Sequence, residues 1–312
     1  MAETSTATKR RARLCIFRYA VVTGANKGIG LEICRQLTSH GIVVVLTARD
    51  EKRGLEAVQK MKDSGISDDL VVFHQLDVVD PDSIASLVEF VKTKFGKLDI
   101  LVNNAAINGV VLNADAFQRA FELSGCWPDG EEVWNEIETK SFELAEQCIK
   151  TNYYGVRGMV EALTPLLQLS DSARIINVTS KLGLLKNIPN GRVKGLLNDV
   201  ESLTGDRIDE ILKEFLKDFK EGLLKSKGWP TQLSAYSVAK AAMNAYTRIL
   251  AKRYPNFHAN CVSPGYCKTD ISTNTGYFTA AEGAEGPVRL ALLPDGGPSG
   301  FCFLQKEMLT NF

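Results

Sequence analysis

Seven short apolar runs recur along the chain, and each contains few polar residues. They span Tyr19–Val22, Ile42–Leu46, Val71–Leu76, Ile100–Val102, Arg174–Val178, Ala259–Val262 and Gly300–Phe303. Strands that are buried on both faces of a parallel sheet have this composition. Between the runs, apolar residues recur at spacings of three and four, as in Ile29/Ile33/Leu37 and Ile84/Leu87/Val91, which is typical of helices with one buried face. The alternation predicts an α/β protein with a doubly wound, seven-stranded parallel sheet and helices on both faces.

The alternation stops between about Lys186 and Leu233, where no strand pattern occurs. A stripe of apolar residues there predicts one face of a long helix, with Thr204 placed to cap its N-terminus. The stripe consists of Ile208, Ile211, Leu212, Phe215, Phe219 and Leu223. No linker, repeat or low-complexity tract divides the chain, so we expect a single domain over residues 19–312 with a helical flap inserted at about 186–233.

Composition narrows the classes of function. The 37 basic and 37 acidic residues give zero net charge, so no overall field attracts nucleic acid or an anionic membrane. The one local excess of positive charge lies in residues 1–18, which we interpret as a solvated basic tail. Its basic residues are Lys9, Arg10, Arg11, Arg13 and Arg18.

Targeting and metal-binding signals are also missing from the sequence. No apolar run reaches the roughly 18 residues of a membrane span, and residues 14–17 are too few for a secretory signal. The seven cysteines include no Cys-x-x-Cys pair, and the three histidines have no zinc-site spacing. We therefore expect a reduced, cytoplasmic, metal-free protein.

A glycine-rich turn, Thr23-Gly24-Ala25-Asn26-Lys27-Gly28-Ile29-Gly30, follows the first predicted strand and opens the first helix. Glycine is needed where the backbone turns sharply and lies against a pyrophosphate, and free N–H groups at the helix start bind phosphate. The spacing is Gly-x3-Gly-x-Gly rather than the more familiar Gly-x-Gly-x-x-Gly. Its place between a strand and a helix favours a dinucleotide site, with an ordinary glycine-rich turn as the alternative.

Arg49 lies at the end of the second predicted strand, where this architecture meets the adenosine ribose. An acidic residue there would bind the ribose hydroxyls, whereas a guanidinium binds a 2′-phosphate through two hydrogen bonds. Lys27 adds a second positive charge, and Asp50 lies one residue further along. The pattern favours NADP(H) over NAD(H); the alternative is that Arg49 only pairs with a carboxylate.

Tyr236 and Lys240 lie four residues apart in a helical pattern and therefore share one helix face. A phenol has a reference pKa near 10, so it needs its phenolate stabilised by roughly 3–4 kcal/mol to exchange a proton near neutrality. An adjacent ammonium can supply this. Ser180 ends another predicted strand, at the edge of the sheet where ligands bind, and its hydroxyl would hydrogen-bond a carbonyl oxygen. Asn103-Asn104-Ala105-Ala106 ends the fourth strand, and Asn152 lies on the following helix.

These motifs, in this order, resemble those of the short-chain dehydrogenase/reductase family. The resemblance runs from about Tyr19 to the C-terminus and includes Pro264-Gly265. It implies a Rossmann fold and an NADP(H)-dependent oxidoreductase that interconverts a ketone and a secondary alcohol. Ala106, where glycine is usual, and Lys181, directly after the serine, depart from the pattern.

The resemblance also implies roles for single residues. Tyr236 would be the general acid and base, and Lys240 would lower its pKa and bind the nicotinamide ribose. Ser180 would orient the carbonyl, and Asn152 would hold the water of a proton relay. The implied cofactor contacts are Gly24, Asn26, Lys27, Gly28, Ile29, Gly30, Arg49, Asp77, Val78, Asn104, Ala105, Ala106, Tyr236, Lys240, Pro264, Gly265 and Thr269, with Val262 near the nicotinamide.

The long separation of Ser180 from Tyr236 is similar to that of a plant long-insert branch of the family. This branch includes monoterpenoid reductases of the menthone/neomenthol type and the alkaloid reductase that acts on salutaridine; animal carbonyl reductases are more distant. The closer similarity lies in residues 73–77, 95–99 and 292–300. In compact members the helix that carries the tyrosine forms a subunit interface. An insertion directly before it would cover that face and lie over the substrate site, so a monomer is expected.

The substrate stays open at this point. The resemblance favours a bulky apolar plant ketone of the menthone/neomenthol type, with an alkaloid ketone such as salutaridine or a broad range of carbonyl compounds as alternatives. A catalytically silent NADP-binding redox sensor is disfavoured because Tyr236 and Lys240 are both present. Reduction of a conjugated C=C bond accompanies replacement of this tyrosine in the mint branch and is disfavoured for the same reason. The candidate pocket walls are Phe117, Phe121, Trp127, Trp134, Leu185 and Tyr266.

Overall fold

The computed structural model describes residues 17–309, which form ten strands and eleven α-helices. The strands are β1 Tyr19–Val22, β2 Val43–Ala48, β3 Val71–Gln75, β4 Ile100–Asn103, β5 Val111–Leu112, β6 Glu138–Thr139, β7 Arg174–Val178, β8 His258–Ser263, β9 Cys302–Leu304 and β10 Glu307–Leu309. The helices are α1 Gly28–Ser39, α2 Glu51–Asp63, α3 Pro81–Phe95, α4 Ala114–Ser124, α5 Glu131–Ile137, α6 Phe142–Ile149, α7 Gly155–Leu167, α8 Gly191–Asn198, α9 Gly205–Lys220, α10 Ser234–Arg253 and α11 Ala280–Ala291. Apart from its last two residues, the predicted basic tail at 1–18 lies outside the described residues.

The central sheet has eight strands in the order β10-β9-β8-β7-β4-β1-β2-β3. Every neighbouring pair is parallel except β9 and β10. The chain moves outward from β1 to β3 and then in the opposite direction from β4 to β9, so a crevice opens between β1 and β4 at the carboxyl ends of the strands. The doubly wound α/β fold is confirmed, and all seven predicted strands are present.

The predicted number of strands in this sheet is too low by one. β10 adds an antiparallel edge strand after a turn in which Gln305 has a φ of 54°. The residues of β10 are exposed or half-buried, so they lack the continuous apolar run that identifies a buried parallel strand. β5 and β6 form a separate two-stranded sheet that is also absent from the prediction, because two-residue strands carry no periodicity.

Successive residues of each central strand face opposite helical layers. Val21 and Val45 pack with α3, α7 and α10, whereas Val22 and Val44 pack with α1, α2 and α11. Side chains alternate in this way along any strand, and both faces here are covered by helices. The buried strands therefore hold the carboxyl edge of the sheet in a fixed position.

The insertion before α10 is helical, as predicted. The Thr204 side chain accepts a hydrogen bond from the N–H of Arg207 and caps α9. The first four positions of the predicted stripe are buried in the same apolar core as α10. Phe219 is half-buried, and Leu223 lies beyond the end of the helix.

The position of the insertion differs from the expectation that it lies over the substrate site. α9 contacts α6 and α10. Of the predicted insertion at 186–233, which the structure describes throughout, only Leu233 lines the crevice. A long apolar stripe is stabilised by an apolar partner, and the faces of α6 and α10 provide one.

Phe215→Ala tests how the insertion is attached. The ring is fully buried and packs edge-on against Trp229, with the two ring centres 5.3 Å apart. Because the insertion shares the main core, we expect the free energy of unfolding to fall by about 3–5 kcal/mol in one cooperative transition. Denaturant unfolding followed by circular dichroism and tryptophan fluorescence measures this. The half-buried Phe219→Ala is the matched control and should cost less; two separate transitions would contradict a shared core.

Candidate active site

A cavity of about 830 Å³ lies at the carboxyl ends of β1, β4, β7 and β8. Every residue predicted to contact the cofactor lines this cavity except Val262, which is fully buried within β8. Ser180 lines it as well, whereas Asn152 lies behind its wall. The structure thus brings segments from the whole length of the sequence to one place.

The glycine turn is packed closely against the segment that follows β4. Gly24 has a φ of +62°, in the left-handed region that favours glycine. A Cβ on Gly24 would lie 2.8 Å from the Cα of Ala105, and one on Gly30 would lie 2.5 Å from the Nδ2 of Asn104. α1 begins at Gly28, and its first residues line the cavity, so the unpaired N–H groups of its first turn are available to an anion.

Thr23 and Asn104 fix the ends of β1 and β4 to each other. The Thr23 Oγ1 accepts hydrogen bonds from the N–H groups of Asn104 and Ala105 at 2.9 and 3.0 Å. The Asn104 amide donates to the carbonyl oxygens of Thr23 and Gly24 at 2.9 and 3.1 Å. Hydrogen bonds in both directions hold the glycine turn against the end of β4.

Positive charge lies at the end of the cavity next to β2. Arg49 is exposed there, and no described residue forms an ion pair with its guanidinium. Asp50 instead caps α2 by accepting a hydrogen bond from the N–H of Arg53 at 2.9 Å. Lys27 forms an ion pair with Asp270 across the cavity, and both side chains are more than half exposed.

The predicted acid and its neighbours meet at the inner end of the cavity. Tyr236 lies in the first turn of α10 and forms a hydrogen bond with Ser180, which follows β7. The Lys240 Nζ lies 5.6 Å from the centre of the Tyr236 ring and donates a hydrogen bond to the carbonyl oxygen of Val178 at 2.7 Å. The phenol, the hydroxyl and the amine therefore form one cluster.

Burial sets the charge of this cluster. Loss of solvent raises the pKa of Tyr236 to about 12, although the hydrogen bond with Ser180 opposes the shift. Loss of solvent also lowers the pKa of Lys240 to about 8. Both pKa changes favour the neutral form, as burial always does. The phenol is consequently protonated over the physiological range, while the amine titrates close to it.

Asn152 does not line the cavity, and its side chain contacts the segment that follows β4. It is fully buried in a π-helical stretch, Lys150–Tyr154, between α6 and α7. Its Oδ1 accepts a hydrogen bond from the N–H of Ile107, and its Nδ2 donates to the Ile107 carbonyl oxygen, both at 2.9 Å. The side-chain amide thus binds the segment after β4, at a local widening of a helix of the kind often found at functional sites.

A buried chain of hydrogen bonds joins the sheet to α10. The Asn103 Nδ2 donates to the Asn177 Oδ1, and the Asn177 Nδ2 donates to the Thr247 Oγ1, both at 2.8 Å. All three residues are almost fully buried. This network is absent from the prediction. The sequence feature that could have predicted the network is an asparagine within each of two apolar strands, because a buried amide must have a hydrogen-bond partner.

Aromatic and aliphatic side chains form one wall of the cavity. Of the predicted wall residues, Phe117, Trp127 and Tyr266 line the cavity. The other three do not, because Phe121 and Trp134 pack behind this wall and Leu185 is buried in the main core. Further apolar lining residues are absent from the prediction, among them Leu112, Leu182, Leu233 and Tyr277.

Residues 17–309 lack the features of two other kinds of site. No group of three or more His, Cys, Asp and Glu side chains in this range is arranged to hold a metal ion. Within the same range, no helix combines the length and the apolar character needed to cross a membrane.

Comparison with known proteins gives close relatives. A family model described as short chain dehydrogenase matches residues 18–191. The chain is 56% identical to Short-chain dehydrogenase/reductase 1 of Saponaria officinalis, over 93% of this chain and 95% of that protein. It is 55% identical to (+)-neomenthol dehydrogenase of Arabidopsis thaliana, over 95% of this chain and 98% of that protein.

A solved structure is similar as well. That of salutaridine reductase from Papaver somniferum superposes with a TM-score of 0.84 at 51% sequence identity, and the match covers 92% of this chain and 99% of that one. The family model, the identities and the superposition agree with one another. The chain therefore belongs to the short-chain dehydrogenase family, in its plant branch, and is an oxidoreductase.

Proposed function

We propose that the protein reduces a ketone group of a bulky, apolar plant metabolite to a secondary alcohol with NADPH, in a reversible reaction. The observation that carries this proposal is the meeting of Tyr236, Ser180 and Lys240 in a cavity whose facing wall is aromatic. A monoterpenoid of the menthone/neomenthol type is the favoured substrate. An alkaloid ketone of the salutaridine type is the second candidate. The first candidate is supported by the 55% identity to (+)-neomenthol dehydrogenase, and the second by the 51% identity to salutaridine reductase.

Members of this family use a nicotinamide cofactor, and the cavity fits one. Gly24 and Gly30 allow no Cβ because the turn packs closely against Ala105 and Asn104, and this packing places the start of α1 in the lining of the cavity, where a pyrophosphate would lie. Asp77 and Val78 would contact the adenine end, and Pro264-Gly265 with Thr269 the nicotinamide end. When bound, the nicotinamide supplies the hydride that reaches the carbonyl carbon.

The basic end of the cavity supports the choice of NADP(H). Arg49 has a guanidinium free for a 2′-phosphate, and the carboxylate of Asp50 is engaged at the start of α2. Lys27 would add a second contact by exchanging its exposed partner Asp270 for the phosphate. Charge-assisted hydrogen bonds to phosphate then select the phosphorylated cofactor.

The cluster at the inner end performs the proton transfer. The protonated Tyr236 donates its proton to the carbonyl oxygen, while the Ser180 hydroxyl donates a hydrogen bond to the same oxygen and stabilises its developing charge. The phenolate that remains is stabilised by the ammonium of Lys240. Since the pKa of Lys240 is lowered to about 8, this charge is present near neutrality and declines as the pH rises.

Asn152 contributes through its backbone in this proposal. Its side-chain amide is occupied by Ile107 on both sides. A relay water would therefore be held by the Asn152 carbonyl oxygen, at the π-helical widening of the helix. Through such a water, solvent would return a proton to Tyr236 after each turnover.

We also propose a monomer that resides in the cytoplasm. α9 covers one face each of α6 and α10, which would otherwise be open to a second subunit. The six cysteines among the described residues are all free, as in a reducing compartment.

The first test removes the proton donor. The wild-type protein should consume NADPH with at least one ketone from a panel of monoterpenoids and alkaloids. Tyr236→Phe should lower turnover by at least about 100-fold and leave the affinity for NADPH unchanged, because the ring remains and only the acid is lost. Tyr266→Phe is the matched control, since its ring also lines the cavity. Turnover of Tyr236→Phe within tenfold of wild type would remove this residue from the mechanism.

The second test concerns the choice of cofactor. Arg49→Ala should raise the KM for NADPH by one to two orders of magnitude and change that for NADH little, since a charge-assisted bond is worth about 1.5–3 kcal/mol. Arg53→Ala, nearby on α2, is the control and should change neither. Equal effects of Arg49→Ala on both cofactors would show that this residue does not bind the 2′-phosphate.

The third test concerns the lowered pKa of Lys240. Between pH 8 and its ordinary pKa of 10.5, this lysine binds a proton only in the unfolded chain, so the stability of the folded wild type rises with pH through that window. Lys240→Met lacks this gain. The free energy of unfolding of the variant, relative to wild type, should therefore fall by up to about 3 kcal/mol across the window. Urea unfolding at a series of pH values measures this, with the exposed Lys252→Met as control. A difference that does not change with pH would mean that Lys240 is charged in the folded protein.

A further inference from the structure

The residue before α10 has a backbone conformation that leucine rarely adopts. Leu233 has φ and ψ of 43° each, in the left-handed region, where a side chain with a Cβ costs free energy. Its carbonyl oxygen accepts a hydrogen bond from the N–H of Ser237 at 2.9 Å, so it belongs to the first turn of the helix. Tyr236 lies in that same turn, and the Leu233 side chain lines the cavity. A strained residue therefore adjoins the proposed acid.

Glu138 provides the contact that holds this conformation. From β6, its Oε2 accepts a hydrogen bond from the N–H of Leu233 at 3.0 Å. Its side chain is only 1% exposed, and the Lys140 Nζ lies 2.8 Å from its Oε1. Lys140 also donates a hydrogen bond to the Thr231 carbonyl oxygen at 2.5 Å. One ion pair thus binds the backbone on both sides of Gln232, and a buried carboxylate is tolerated only while it keeps such partners.

The same carboxylate belongs to the aromatic side of the cavity. Glu138 pairs with Leu112 in the β5–β6 ladder, and Leu112 lines the cavity. Ile137, the preceding residue, packs in one apolar cluster with Phe117 and Leu233. Glu138 therefore joins two parts of the site that lie 95 residues apart in the sequence, the substrate wall and the start of the helix that carries Tyr236.

We propose that Glu138, oriented by Lys140, is a positioning residue that sets the Tyr236 phenol relative to the substrate wall. This rests on the proposed function, in which Tyr236 is the acid. Without the carboxylate, Leu233 relaxes from the left-handed conformation, the first turn of α10 shifts, and the phenol is no longer aligned with a bound carbonyl. Misalignment reduces turnover, whereas the cofactor end of the cavity, built from the glycine turn and Arg49, is unaffected.

The direct test is Glu138→Ala, measured with a ketone that the wild type reduces. We expect kcat to fall by about tenfold or more, the dissociation constant for NADPH to stay the same, and the deuterium isotope effect from 4-deuterated NADPH to increase, because chemistry becomes slower relative to product release. Glu138→Gln keeps an acceptor for the Leu233 N–H and should recover most of kcat. Glu131→Ala is the matched control: it removes an exposed ion pair with Lys225 between the same two parts of the chain and should change none of these values.

A double-mutant cycle separates positioning from general destabilisation. Glycine adopts the left-handed conformation without strain, so in a Leu233→Gly background the further change Glu138→Ala should cost much less kcat than in the wild type. If Glu138→Ala does not fold on its own, comparing Leu233→Gly with the double variant still tests the proposal. Equal losses in both backgrounds, with NADPH affinity and melting temperature falling alongside kcat, would overturn the proposal. A wild type inactive toward every ketone tested would instead overturn the proposed function.

Discussion

Parallel pairing of β1, β4, β7 and β8 is the constraint on which the rest of the site depends. In a parallel ladder all strands end at the same edge, so whatever residue follows each strand is brought to that edge. The pairing of Val22 with Val102, of Asn103 with Asn177 and of Val178 with Val262 places segments from the two halves of the chain side by side. The helices that cover both faces hold this edge of the sheet in position. The hydroxyls, amides and glycines that follow the strands therefore line one cavity.

The same burial that stabilises the sheet determines the electrostatics of the site. A phenol and an amine placed where water is scarce both favour their neutral forms, so a proton transfer that creates a charge there needs a compensating charge close by. In the proposed mechanism Tyr236 and Lys240, one helical turn apart, meet this need together. The amides of Asn103 and Asn177 show the complementary rule: a polar group within an apolar strand is retained where a partner satisfies it. Here the partner lies on α10, so the requirement for a hydrogen bond also fixes the helix that carries the phenol.

The parts of the molecule that the sequence predicts are those governed by local rules. Apolar runs identify seven of the eight strands of the central sheet, because burial on both faces leaves a continuous signal. The glycine turn and the Tyr236–Lys240 spacing are equally local, and the cavity contains every predicted cofactor contact except Val262. β10 is short, exposed and antiparallel, and therefore leaves no such pattern. The side on which the insertion packs, and the contact between Glu138 and Leu233, depend on surfaces that meet only after folding. An apolar stripe predicts that one face of a helix is buried, but it does not identify the surface that covers this face.

In the proposed reaction, the ion pair between Lys27 and Asp270 would affect the rate of cofactor release. An oxidoreductase must release its spent cofactor in every cycle, so a binding site that attracts phosphate too strongly would slow the whole reaction. If Lys27 contacts the cofactor phosphate as proposed, Asp270 would offer it an internal anion when the cofactor leaves, which would lower the barrier to departure as well as the net gain on arrival. The pair lies in water, so salt weakens it together with the attraction for phosphate. In the proposed reaction the carboxylate of Asp270 would compete with the phosphate for Lys27 and shorten the residence time of the cofactor, without taking part in the proton transfer at Tyr236.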